Sequence, residues 1–156
     1  MRPLLALALL VAPALTGHCA DPPAAEERVK ITVAVILANG DGKVDDKLKC
    51  VAAEIGKMHP RLTGYHLGPT KTEAIALGGS ETFKLVDGQE ATIKVKRCKE
   101  NPGRFCLEIQ SKALVGEMAY TSVCGKYFPL VTDYKTKKHG DQLIIAFKVE
   151  SCKDKK

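Results

Sequence analysis

The 156-residue sequence contains no tryptophan and only 5% aromatic residues. Its core must therefore rest on Val, Ile, Leu and Ala, and it has few of the aromatic platforms on which single-stranded nucleic acids stack. Long apolar runs are scarce too. The run Leu4–Leu15 covers about 12 residues where about 20 are needed to cross a bilayer, so no transmembrane span is expected. Catalytic signatures are also missing. There is no H-E-x-x-H or His-x-x-x-His pair, no G-x-S-x-G elbow at Ser80 or Ser122, no phosphate loop and no dinucleotide fingerprint. The cysteines form no C-x-x-C and no Cys/His cluster, which leaves a zinc site or a thioredoxin-like pair without support. No catalytic, cofactor-binding or metal-binding residue is assigned, and no cofactor is expected. His59 precedes Pro60 and His139 lies between Lys138 and Gly140, both expected at the surface. His66 carries no motif, and Glu108 and Glu117 are carboxylates that only the fold could bring together.

What is present begins with a leader. Arg2 supplies a positive start, Leu4–Leu15 an apolar run, and Thr16, Gly17 and Ala20 the small residues of a secretory signal over residues 1–20. Cleavage after Ala20 would set His18 where a small residue is preferred. The alternative is lipid attachment at Cys19, since Leu15-Thr16-Gly17 before a cysteine resembles a bacterial lipobox interrupted by His18. Residues 21–27, with Pro22 and Pro23, read as a linker. Residues 28–152 read as one domain and 153–156 as a basic tail. Secretion or a periplasmic location follows, with lipid anchoring as the variant. Export favours disulfides among Cys50, Cys98, Cys106, Cys124 and Cys152, an odd number once Cys19 leaves.

The formal net charge of +6 is concentrated in Lys84–Arg97, Lys135–Lys138 and the tail. A solvated sheet face and tail account for it. The partners it allows are another envelope protein or an anionic polymer, and nucleic acid is not expected in an exported chain.

Arg28–Ala38 is β-branched, alternates Val29, Ile31, Val33, Val35 and Leu37, and becomes wholly apolar toward its end, the pattern of a central strand. Asn39-Gly40-Asp41-Gly42 breaks it. Asp45 or Asp46 is expected to cap a helix whose buried stripe is Leu48, Val51, Ala52, Ile55 and Met58, stopped by Pro60. Short strands are expected around Leu62–Leu67 and Glu73–Leu77 with a turn at Gly68-Pro69, and again over Ala113–Met118 and Tyr120–Cys124. Leu130–Thr136 and Gln142–Ser151 form a hairpin, with Leu143, Ile145, Phe147 and Val149 on one face.

Ser80–Gln110 is a β-meander. A three-residue loop Val86-Asp87-Gly88, with Gly88 left-handed, sets Phe83 against Ala91 and puts Leu85, Ala91, Ile93 and Val95 on one side. Lys84, Thr92, Lys94 and Lys96 take the other, a wet and basic face. Across the Asn101-Pro102-Gly103 turn, placing Cys98 opposite Cys106 pairs Arg97 with Leu107 and Val95 with Ile109. That register predicts a Cys98–Cys106 disulfide. The fold class is α+β: a mainly antiparallel sheet or small sandwich with one amphipathic helix packed on it.

Asn39–Asp45 resembles the calcium loop of EF-hands and dockerins, but the first and twelfth loop positions fall on Leu37 and Leu48, where carboxylates are required. A turn is the expected reading. Asp87-Gly88-Gln89-Glu90-Ala91-Thr92-Ile93 resembles the D-[GN]-Q-x-A-x-I hairpin of bacterial secretin β-domains, and Gly140–Ile145 loosely resembles a later secretin strand without its Gly-Gly. The segment is structural in secretins, so the likeness implies envelope assembly or surface interaction and no catalytic residue. The strand–helix–meander order resembles that of cystatins, without their Q-x-V-x-G loop. The expected function is a non-enzymatic envelope or periplasmic protein with a binding or structural role. A secreted hydrolase inhibitor is the second reading, and a small hydrolase with a scattered site the third.

Overall fold

The structure, a computed structural model, describes residues 27–122 and 125–151. Its strands are β1 (Arg28–Asn39), β2 (Gly64–Ala76), β3 (Ser80–Lys84), β4 (Glu90–Arg97), β5 (Phe105–Ser111), β6 (Glu117–Thr121), β7 (Tyr127–Lys135) and β8 (Gln142–Ser151). A single 3-10 turn at Asp46–Leu48 leads into helix α1 (Lys49–Met58). The strands form two four-stranded sheets, β2-β1-β8-β7 and β3-β4-β5-β6, and all the ladders between them are antiparallel.

Period-two alternation explains the layering. Val29, Ile31, Val33 and Val35 of β1 and Leu143, Ile145, Phe147 and Val149 of β8 meet Phe83, Ala91, Ile93, Val95, Leu107 and Ile109 of the second sheet in one core. The intervening residues Ala34, Ile36, Ala38, Ile144 and Ala146 point the other way and pack on Leu48, Val51, Ala52 and Ile55 beside α1. The result is a helix, a sheet and a second sheet in three layers, the α+β class expected. Strands β1 and β8 are buried on both faces, which is why their sequences run nearly continuously apolar.

Several expectations change in detail. Met58 is 63% exposed and lies off the helical stripe. Asp45 makes no side-chain cap to the helix; its carboxylate instead accepts the Leu67 amide at 2.7 Å, fixing β2 against the helix approach. Gly68-Pro69 is not a turn. It is the bulge where two residues of β2 oppose Val35 alone, and an edge strand tolerates proline there because no ladder donor is lost. A side chain at Gly68 would press on Val35, 3.1 Å from its Cγ1. Strand β7 starts at Tyr127 and runs through Pro129, again at an edge, and the two short strands expected over 113–124 resolve into β6 alone. The expected segment end at Cys124 lies outside the described residues.

The first hairpin has the expected register, Phe83 opposite Ala91. Its turn differs, because Asp87 (φ 56°) as well as Gly88 (φ 75°) is left-handed, and Gln89 N donates to Val86 O at 2.9 Å. Positive φ at both central residues is the type I′ pattern, whose twist matches that of the flanking strands. The second hairpin is displaced by two residues: Val95 faces Leu107 and Cys106 faces Lys96.

Candidate functional site

The outer face of the second sheet carries the lysines expected there. Cross-strand pairing also brings carboxylates onto it. Lys84 opposes Glu90, Lys94 opposes Glu108, and Lys96 forms an ion pair with Glu108. Glu117 joins them from β6, accepting Gln110 Nε2 at 2.9 Å. Three lysines (84, 94, 96) thus stand among three glutamates (90, 108, 117), so the charges that the strands bring to this face balance. Glu108 is held below the usual carboxylate range, chiefly by its hydrogen bond from Lys96. Glu108 and Glu117 line one shallow cleft of about 290 Å³ with Ser80, Thr92, Lys94 and Gln110. A carboxyl held ionised in this way does not suit a general acid, which needs a raised pKa.

Cys98 and Cys106 are joined by a disulfide, Cα–Cα 5.1 Å, at the far end of the same face. Around it lies a cleft of about 850 Å³ lined by Lys96, Arg97, Lys99, Arg104, Glu100 and Glu108 among others. Two of its cations, Lys96 and Arg97, are engaged. Arg97 pairs with Glu27, donates to Pro102 O at 2.8 Å and lies 4.8 Å over the Phe105 ring. Cys50 is an exposed free thiol on α1. Cys19, Cys124 and Cys152 lie outside the described residues.

His59 and His139 fall where their sequence context placed them, and His66 stands on β2 opposite Leu37. His59 and His139 are exposed. His66 Nε2 meets Asp41 Oδ2 at 2.9 Å, and Asp41 Oδ1 accepts the Lys43 amide at 2.9 Å. Asp41 is therefore held below its ordinary value, first by the Lys43 amide and then by His66. Asn39 Oδ1 accepts the Asp41 amide at 3.0 Å, so Asn39–Lys43 is a self-bonded turn braced by His66. Gly64 is required beside it, because a Cβ there would collide with Asp41 Oδ1 and Asn39 Oδ1. Among the described residues no three His, Cys, Asp or Glu side chains form a metal-binding group. Ser80 is exposed, whereas Ser122 is buried with its Oγ unpartnered among the described residues.

A further concave surface lies on the opposite side of the molecule, where the sequence had pointed to no site. Helix α1 and the turn before it cover the outer face of β1 and β8, whose Ala34, Ile36 and Ala146 are at most 3% exposed. A cleft of about 460 Å³ remains beside the helix, floored by Ala34, Ile36 and Ala146 and walled by Leu48, Val51 and Leu67. Lys47, Thr70 and Tyr127 line its rim, with Lys148 Nζ 5.5 Å over the Tyr127 ring. Small residues at the floor make the depression, and the volume falls in the roughly 300–1,000 Å³ range of ligand pockets. The sequence signal was the Ala34/Ala146 pair set among bulkier neighbours. It reads as cleft only once β1 and β8 are known to lie side by side.

Comparison with known proteins finds no matching family model, no matching curated protein and no matching solved structure. No helix among the described residues is long and apolar enough to cross a membrane.

Proposed function

We propose that the chain is an exported, non-enzymatic protein of the cell envelope or periplasm that binds a partner protein there. The observation carrying this reading is the cleft beside α1. Its floor is apolar, its rim bears Lys47, Thr70 and Tyr127, and it fits an apolar side chain flanked by a hydrogen-bonding or acidic group. Two further features support the setting: the leader pattern at residues 1–20 and the Cys98–Cys106 disulfide, a bond that persists in oxidising compartments. The secretin-like hairpin segment Asp87–Ile93 is a turn and strand of the second sheet and adds no site residue.

The test is capture by the exported chain from envelope extract after cross-linking, run beside the rim variants Thr70→Trp and Lys47→Glu. Both residues are exposed, so both variants should fold. An envelope protein captured by the parent and lost from both variants supports the reading. Equal capture by all three removes the cleft from it. Recovery of one hydrolase with stoichiometric loss of its activity would favour the inhibitor reading instead.

A further inference from the structure

We infer that β6 is a strand-pairing edge through which two copies of this chain associate, joining their second sheets into one. The two sheets have four edge strands, β2, β7, β3 and β6. Natural edges are blunted by proline, bulges or charge, since a bare edge pairs with another chain. Strand β2 carries the Gly68-Pro69 bulge with Lys71 and Glu73. Strand β7 carries Pro129 and a register break between Val131 and Lys135. Strand β3 follows a bulge in which Gly78 N and Gly79 O both bond Val95, and it contains Glu81 and Lys84. Strand β6, Glu117-Met118-Ala119-Tyr120-Thr121, has no proline, glycine, lysine or bulge, and its one charge, Glu117, stands at its first position.

The backbone geometry says which groups of β6 have no ladder partner among the described residues. Ser122 N donates to Phe105 O at 2.8 Å. Antiparallel ladder bonds alternate, so Tyr120 and Met118 turn their backbone groups toward Leu107 and Ile109. Glu117, Ala119 and Thr121 turn theirs outward. The strand is also held in place, because the Tyr120 ring stacks on Phe128 of the other sheet at 3.8 Å. Beside it, Val115 is 87% exposed and Met118 38%, two of the four exposed large hydrophobics among the described residues.

A second copy fits this edge without conflict. Antiparallel pairing about a two-fold axis at Ala119 sets Ala119 against itself and Glu117 against Thr121, so every outward N–H and C=O of the strand finds a partner and no like charges face. Met118 then opposes Tyr120, a favourable sulfur–aromatic pair. The contact is isologous and closes at two chains. Five residues a side bury less than the roughly 1,200 Å² of stable complexes, so the dimer forms weakly, in the range of tens to hundreds of micromolar or above.

Sedimentation velocity of the exported chain over a concentration series tests this. A monomer–dimer equilibrium is expected, weakened at least tenfold by Ala119→Pro, which removes an outward donor and leaves the β5–β6 ladder intact. Ala119→Lys sets two ammonium groups face to face at an exposed position, so it keeps the fold and gives the same weakening should the proline variant unfold. With Cys50→Ser to remove the one free thiol among the described residues, Ala119→Cys should form a dimer linked through residue 119 on mild oxidation, read by peptide mapping, and Thr82→Cys on the same sheet should not link through residue 82. A chain monomeric at every concentration overturns the inference. So does a dimer indifferent to Ala119→Lys, or a β6 edge protected only by a different protein.

Discussion

Asp87 Oδ2 accepts a hydrogen bond from the Lys137 backbone amide at 2.8 Å, joining the first hairpin turn of the second sheet to the β7–β8 connection of the first. The Tyr134 hydroxyl donates to the same oxygen at 3.2 Å. One carboxylate thus ties the two sheets at one end of the sandwich, and it sits on a residue whose φ is 56°. Asp87→Gly loses the tie but relaxes the backbone. Asp87→Ala loses the tie and keeps the strain, so it should be less stable than the glycine variant by roughly 1–2 kcal/mol. Urea unfolding of the two proteins measures the difference. Equal stabilities would mean that the backbone shifts out of the left-handed region when the carboxylate is gone.

Ile55 of α1 is fully buried while Met58 of the same helix is 63% exposed. Ile55→Ala should therefore cost about 2–5 kcal/mol, and Met58→Ala should stay within about 0.5 kcal/mol. Comparable losses from the two in thermal or urea unfolding would place Met58 in the core and rotate the helix.

These outcomes show what the residue pattern fixes and what it leaves free. The alternation in β4, in the first half of β1 and in the second half of β8 determined which side chains point between the sheets, because period two admits no other assignment once one face is apolar. It could not distinguish registers two residues apart. Phe105, Leu107 and Ile109 are interchangeable partners for Val95 as far as burial is concerned, and the tighter loop prevails: Cys98 N bonds Arg104 O at 3.2 Å. Proline misled at Gly68-Pro69, and the strand expected from Leu130 in fact runs back through Pro129 to Tyr127, since an edge strand tolerates proline and edge status belongs to the sheet and not to the segment. The charge of the wet face was misjudged for a similar reason. Glu90, Glu108 and Glu117 reach the lysines only through cross-strand pairing. The cleft beside α1 was invisible because it depends on how one short helix sits on the sheet.

Gly64 and Asp41 should be energetically coupled. A methyl group at Gly64 meets Asp41 Oδ1 and Asn39 Oδ1, both of which accept turn amides. Gly64→Ala should cost about 1–3 kcal/mol by overpacking. In an Asp41→Ala background the carboxylate is absent, and the cost should shrink clearly. A double-mutant cycle reads this coupling, and additive losses would show that the glycine is needed for another reason.

The Lys96–Glu108 pair predicts a pH dependence. Glu108 is held below its ordinary value first by the Lys96 hydrogen bond and also by the charges of Lys96 and Lys94. A carboxylate with a depressed folded pKa contributes stability above its unfolded pKa and loses it as pH falls through the folded value. Lys96→Gln should flatten the acid limb of the stability–pH curve below about pH 4.5, with little change near neutrality in the shape of that curve. Because the pair is exposed, high salt should shrink the difference between the two proteins. An acid limb that is the same in both proteins at low salt would remove Glu108 as its source.

The Cys98–Cys106 bond offers the sharpest check, because it survives a register that was expected to differ. Cys106 stands opposite Lys96, and Cys98 opposite Arg104, so the disulfide crosses the ladder diagonally. Its Cα–Cα distance of 5.1 Å lies inside the usual range of about 4.4–6.8 Å. The closed loop spans a sequence separation of 8, so the bond should contribute about 2–3 kcal/mol by restricting the unfolded chain. Changing both cysteines to serine should lower stability by that amount and leave the register intact, since Leu107 and Ile109 still pack in the core. Non-reducing peptide mapping should recover Cys98 joined to Cys106, and Cys50 should alkylate in the folded protein because its thiol is exposed. Cys98 found joined to Cys50, Cys124 or Cys152 would remove the Cys98–Cys106 bond, while the β4–β5 ladder, held by Val95 facing Leu107 and Ile93 facing Ile109, would stand without it.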